Sequence, residues 1–322
     1  MSSHWPLFTE FCRAETATGG PDPQVALMAH LPRETDPIEQ VWLAGCYGAH
    51  HCVPSAWLTW NEFRPKEVLD DPKELESWLE ESWHALPVRP EMKSHRMLHK
   101  RSECLQDFAR YALEGRWAIP YTSYDQMWHD SQESVKYYGR YMAIKYLEIL
   151  RRTVAPWLVM TDMRARGAWS PRRTLYMLFP EQEILGQREN HSDKAEQTVE
   201  ECATSAIHTL SEVGIHVNYF QVQVMLCEYR ELLCGGYYAG ASHDEELGYI
   251  SQSRMKFSQD QLAGIFKARK EIFPEWCLGE LNGWDGIRPD CWRAWKNHGL
   301  IWNDLRYVYR GPGSVGMKEE RV

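Results

Sequence analysis

Three blocks of this chain combine residue types that could carry out chemistry. The first is Tyr137-Tyr138-Gly139-Arg140-Tyr141-Met142-Ala143-Ile144-Lys145. Helical spacing sets Tyr141, Lys145 and Glu148 along one face, with Arg140 one step round. Two cations beside tyrosines suit a phosphorylated, planar ligand, because guanidinium and ammonium groups hold phosphate oxygens while rings pack on rings. Gly139, read as lying inside a helix, costs about 1 kcal/mol relative to alanine and implies that something packs close to the backbone there. The plainer use of the same face is an exposed Lys145–Glu148 ion pair.

The second block runs from Gln221 to Arg230 and continues into Gly235-Gly236-Tyr237-Tyr238-Ala239-Gly240-Ala241-Ser242-His243-Asp244. Gln223 and Glu228 interrupt an otherwise apolar run, and buried polar groups must find partners. A glycine-rich loop carrying tyrosines, a histidine and an acid reads as a lid or a base-binding loop. Glu228 or Asp244 could deprotonate an amine; alternatively, Ser242 to Glu245 simply cap a helix. The third block is Asn282-Gly283-Trp284-Asp285-Gly286-Ile287-Arg288-Pro289-Asp290. Its glycines, proline and acids specify a tight loop. There Arg288 either clamps a carboxylate or phosphate with two prongs or ties down Asp285 or Asp290.

Other chemistries lack their fingerprints. There is no G-x-x-x-x-G-K-[ST] phosphate loop, no G-x-G-x-x-G, no G-x-S-x-G and no H-E-x-x-H. Cys46 with His50-His51-Cys52 has no second half, so no zinc is expected. No organic cofactor is expected; a divalent cation beside a leaving phosphate remains compatible.

The elements that must position these blocks read as helices. Pro21, Pro23, Pro32 and Pro37 divide the first 65 or so residues into short helices joined by turns. Leu75, Trp78, Leu79, Trp83 and Leu86 form one stripe after the start signal Asp71-Pro72. Further helices are predicted over about 94–116, 125–152 and 193–213, the last ended by Gly214. Residues 215–233 begin with strand-like alternation, yet Val222, Leu226, Tyr229 and Leu233 have helix spacing, favouring a helix capped by Asn218. Ser258 and Gln261 form a capping box, and Asp290 starts a last helix ending near Gly299. The fold class is mostly α, a single unit over 1–322 with irregular glycine-rich loops and at most an N-terminal subdomain over 1–90.

Composition sets the partners. The 322 residues carry 36 Lys and Arg against 45 Asp and Glu, a net charge of −9, which excludes a generic polycation. Charge is segregated, however. Lys93, His95, Arg96, His99, Lys100 and Arg101 share a window without an acid. Between 151 and 173, Arg151, Arg152, Arg164, Arg166, Arg172 and Arg173 face the single Asp162. Lys100, Arg101, Arg164, Arg166, Arg172 and Arg173 are therefore the DNA-binding candidates. Trp157, Trp169 and Tyr176 interleave with the second region, as in platforms for unstacked bases. Nine cysteines without a C-x-x-C pattern, no apolar run near the length of a membrane span and no leader-like start point to a reduced, cytoplasmic setting.

Taken together, Gly20-Pro21-Asp22-Pro23, Gly139-Arg140-Tyr141 with Ile144-Lys145, Gln223 through Tyr229 with the tyrosine loop, and Trp284 through Arg288 resemble the phage amino acid:DNA transferases. These belong to the alpha-glutamyl/putrescinyl thymine pyrophosphorylase group, and the resemblance implies a helical, DNA-glycosylase-like architecture. It also implies a substrate, double-stranded phage DNA whose 5-hydroxymethyluracil is phosphorylated or pyrophosphorylated. Loss of that leaving group makes the 5-methylene electrophilic, and a free amino acid, glycine or serine, adds there. Such chemistry needs a cationic site, a base for the nucleophile and a pocket for an extruded nucleobase. Residue type then assigns Arg140 and Lys145 to the leaving phosphates and Glu228 or Asp244 to the base. Arg288 is assigned to the amino acid's carboxylate and Tyr138 and Tyr238 to the base pocket, with Tyr141, Gln223 and Asp285 as further substrate-binding residues. Two features of helix-hairpin-helix glycosylases are absent: the L-x-G-[VI]-G hairpin and a four-cysteine cluster.

Overall fold

The computed structural model describes residues 2–31, 35–89, 97–118, 123–233 and 237–279. Among them are fourteen α-helices, a few 3₁₀ turns and no strand, the mostly α fold that the periodicity predicts. No helix among the described residues is long and apolar enough to cross a membrane. The seven described cysteines are free thiols, six of them buried.

The chain divides into two compact units. The first comprises 1–23, 160–244 and 273–322, the second 24–159 and 245–272. In the first unit, α1 (His4–Ala17), α10 (Trp169–Leu178), α11 (Asp193–Glu212) and α12 (Tyr219–Leu233) surround one core. Trp5, Phe8, Phe11, Val199, Ala203, Val222, Leu226 and Tyr229 are buried in it. The start of α12 is fixed as its cap predicts. Asn218 accepts from the Gln221 N–H at 2.9 Å, and Gln221 accepts from the Asn218 N–H at 3.0 Å. Residues 215–217 therefore lead into a helix and not along a strand.

The second unit holds α2 (Pro23–His30), α3 (Pro37–His50), α4 (Val53–Glu62), α5 (Pro65–Asp70) and α6 (Pro72–Ser82). It also holds α7 (Leu98–Glu114), α8 (Tyr124–Ser134), α9 (Arg140–Thr153) and α14 (Ala263–Ile272). The first turn of α13 (Ala241–Ser253) counts with the first unit and the remainder with the second. Helix α3 packs on α4, α7 and α9. Gly45 and Gly48 make the α3–α7 approach, since a Cβ at either would lie 2.7 or 2.5 Å from the Phe108 side chain. Phe108 in turn meets the rings of Tyr138 and Tyr146 at 5.1 Å.

One helix expectation is corrected here. The span predicted over 125–152 is two helices, α8 and α9, separated at 135–139. Gly139 is not inside a helix; it is the N-cap of α9 in extended conformation, and nothing lies within 4 Å of where its Cβ would be. The close approach inferred from it is absent.

Candidate functional site

The first unit gathers an acid–phenol cluster. Helix α1 buries Phe8, Phe11 and Cys12, and Glu15 continues that face into the interior with 1% exposure. Burial pushes its carboxyl up to about 8, although the Tyr237 hydroxyl and the Gly240 N–H oppose the rise. Glu15 thus carries a proton at neutral pH. The Cys12 thiol is raised well above its ordinary value by burial, then by Glu15 and Glu228, which puts both carboxylates beside it. Tyr237 has the same two acids as neighbours. Burial, then Glu15, then Glu228 hold its phenol well above the usual range, while Ser242 pulls it back. Tyr237 is thus a buried phenol beside both acids.

The neighbouring elements fix this cluster. Helix α12 supplies Glu228 and buries Gln223. Asp244 lies in the first turn of α13 and accepts a hydrogen bond from the Tyr238 hydroxyl. His243 is fully buried, its Nε2 3.0 Å from the Thr18 carbonyl oxygen and its ring edge-on to Phe273. It positions the loop. Glu15 went unnoticed in the sequence although a signal was there: a glutamate three residues after Cys12 and four after Phe11, on an otherwise apolar face.

The second unit gathers cations and rings. Arg140 is the first residue of α9 and is half-buried; Tyr141 is exposed, with its ring edge-on to His51 at 5.1 Å. Lys145 is buried at 4% exposure, its Nζ 5.2 Å from the Tyr141 ring centre. The exposed Lys145–Glu148 pair is not formed. Glu148 is itself buried and binds Arg151 and Arg152, each at 2.7 Å. Beside His51, Arg89 donates through Nε to Glu245 at 2.9 Å and pairs with the other carboxylate oxygen as well. Burial disfavours the Arg89 charge, but Tyr141, Glu245 and Tyr47 outweigh it and hold the guanidinium well above its ordinary value. Neither Arg89 nor Glu245 had a sequence signal. Among the described residues, no group of three His, Cys, Asp or Glu side chains could hold a metal ion.

Several sequence candidates stand elsewhere. Tyr138 is core: 6% exposed and edge-on to Phe108 and Tyr146, it cannot line a nucleobase pocket in this conformation. Arg101 is 2% exposed, donates to the Leu86 carbonyl at 3.1 Å and covers the Trp83 ring; burial lowers its pKa to about 9. Arg172 is 4% exposed and donates to the carbonyls of Leu185, Ile184 and Asn190. Both arginines tie loops together and leave the DNA-binding set. Arg164 pairs with Asp162 at 3.1 Å, while Arg166 stays largely exposed, 3.8 Å from Asp193. Arg173 is half-buried. Lys100 lies 5.3 Å from the Tyr137 ring centre. Asp285 and Arg288 lie outside the described residues.

The family model described as amino acid:DNA transferase matches residues 18–237. The chain belongs to the amino acid:DNA transferase family. It is therefore a transferase whose partners are DNA and an amino acid. No curated protein and no solved structure matches the chain. The family match spans the Gly139–Lys145 block, all of α12 and Tyr237. Glu15 and Asp244 fall outside it, so in this amino acid:DNA transferase they are assigned by geometry alone.

Proposed function

We propose that the protein transfers an amino acid, glycine or serine, onto the 5-methylene of phosphorylated or pyrophosphorylated 5-hydroxymethyluracil in double-stranded phage DNA. The C–O bond to the leaving group breaks and (pyro)phosphate departs with its electron pair. The amine or hydroxyl of the amino acid forms the new bond to the methylene carbon and gives up one proton to a base. The architecture on this reading is DNA-glycosylase-like, but the glycosidic bond stays intact.

The observation that carries this reading is the Glu15–Tyr237–Glu228 cluster, in a chain whose family joins amino acids to DNA. A base that must take a proton from an ammonium-bearing nucleophile works best with a pKa near the operating pH. Glu228 is the base, and the buried Tyr237 phenol and Glu15 lie beside it. Asp244, engaged by Tyr238, orients the loop that carries both tyrosines. In the second unit Arg140 and Lys145 receive the leaving phosphates, Arg140 through its paired N–H donors and Lys145 as a point charge. Gln223 and Tyr238 contact the nucleobase, and Arg288 with Asp285 holds the amino acid. No organic cofactor enters this scheme; a divalent cation beside the leaving phosphates is compatible with it.

The test is a nucleoside mass spectrum. The protein is incubated with DNA carrying pyrophosphorylated 5-hydroxymethyluracil and an equimolar pool of amino acids, and the DNA is then digested to nucleosides. The expected product is a nucleoside heavier than 5-hydroxymethyldeoxyuridine by one amino-acid residue, with its identity read from the mass. Free base in the supernatant with no new nucleoside would make the protein a glycosylase. An unchanged profile despite tight DNA binding would make it a binding module.

A further inference from the structure

Residues 135–139 hold one aromatic ring outward under backbone constraint. Val135 is 2% exposed and Tyr138 is 6% exposed, its ring against Phe108. Between them, the Lys136 N–H donates to Asp107 at 3.0 Å, and the Lys136 ammonium bonds Glu103 at 3.0 Å. With both sides of the turn fixed to α7, Tyr137 adopts φ +59°, a region that bulky side chains rarely occupy. Its ring is 39% exposed. A strained residue persists only where its surroundings over-determine it, and here they do so to present a phenol to solvent.

The surface around this ring is cationic and aromatic. The Lys100 ammonium lies 5.3 Å from the Tyr137 ring centre. Four residues on, Tyr141 is 42% exposed, with Lys145 5.2 Å from its ring. Arg140 lies between the two tyrosines in sequence. The nearby acids are already engaged, Glu103 by Lys136 and Asp107 by Arg110 at 2.8 Å. Rings flanked by cations match a polymer that offers stacked bases between phosphates.

We infer that Tyr137 and Tyr141 are stacking residues of a duplex-DNA-binding surface on the second unit. Tyr137 enters the base stack, while Lys100 and Arg140 meet the flanking phosphates. The inference rests on DNA being the partner, which the family gives. It shares with the proposed function Arg140 and the expectation that a base leaves the stack, a gap that an inserted ring would fill.

The experiment measures fluorescence anisotropy of a labelled duplex with the full-length protein. Tyr137→Ala is expected to weaken binding about tenfold and Tyr141→Ala by a similar factor, while Tyr137→Phe stays within about twofold. Tyr137→Gly separates folding from binding: it relieves the positive φ, so its Tm should hold or rise while DNA affinity still falls. Tyr137→Ala and Tyr137→Gly binding the duplex as tightly as the wild type would overturn the inference, as would a wild type that does not bind duplex DNA. A wild type that binds but forms no new nucleoside would sink the proposed reaction and leave this surface standing.

Discussion

The two units treat buried carboxylates in opposite ways. In the second, each buried acid meets an arginine: Glu246 with Arg269 at 3.0 Å, Glu148 with Arg151 and Arg152, and the partly buried Glu245 with Arg89. Ion pairing opposes burial there: burial still raises the Glu246 carboxyl although Arg269 pulls it back, and Arg151 is raised above its ordinary value by its bond to Glu148. In the first unit Glu15 meets a phenol and a backbone amide, and its carboxyl rises to about 8. A paired carboxylate holds structure or orients a phosphate-binding face, whereas an acid kept near neutrality by burial can exchange a proton within the working pH range.

The largest effect should come from removing the base. Glu228→Gln is expected to lower the rate of amino-acid incorporation by about 10²–10⁴ while leaving duplex affinity within about twofold, as read from single-turnover kinetics and anisotropy. A rate near that of the wild type would break the comparison at its functional end.

The same type of substitution in the other unit should act on stability. Glu246→Gln leaves the Arg269 guanidinium, 2% exposed, without its counter-charge and is expected to cost about 3–5 kcal/mol in urea unfolding. Glu15→Gln removes a group that the folded state must hold protonated at pH 7, so it should not destabilise there and is expected to raise stability. Equal losses would show that the two acids are used alike.

The pH dependence sharpens this contrast. Glu15 has an ordinary value of 4.5 when unfolded and about 8 when folded, so between those values the folded state holds the extra proton. Stability from this group is therefore complete below about 4.5 and falls as pH rises to about 8, by on the order of 4 kcal/mol for the group alone. Chemical denaturation across that window should show the fall in the wild type and its loss in Glu15→Gln. A wild type whose stability rises with pH over the same window would contradict it.

The smallest effects separate two arginines of one basic segment. Arg172→Ala should destabilise by about 1–3 kcal/mol, since three buried carbonyls lose their donor, with no change in the salt dependence of DNA binding. Arg166→Ala should leave stability alone and lower the log-affinity versus log-salt slope by about 1. Interchanged outcomes would return Arg172 to the DNA-binding set.

Local signals made much of this fold legible. Asp71 accepts from the N–H groups of Lys73 and Glu74 to begin α6, Asn218 caps α12, and Ser258 with Gln261 precedes α14. Each motif works within a few residues, so sequence spacing carries it. The break at 135–139 was not legible. Val135 and Tyr138 keep helical spacing, but an acceptor on α7, Asp107, takes the Lys136 N–H and ends the helix from a distance. The site divides similarly. Glu228 shows as a polar residue in an apolar run, whereas the value of Glu15 depends on Tyr237 and Gly240, more than two hundred residues away in sequence. Charge type misleads for Arg101 and Arg172, because the carbonyls that hold them belong to other segments.

The central claim is that the buried acids of the first unit handle the proton of the transfer reaction. Its most direct test is the pH–rate profile of amino-acid incorporation for the wild type and Glu15→Gln, with the product nucleoside measured by mass. The account predicts a break near pH 8 in the wild type that is missing from Glu15→Gln. Superimposable profiles for the two proteins would contradict it.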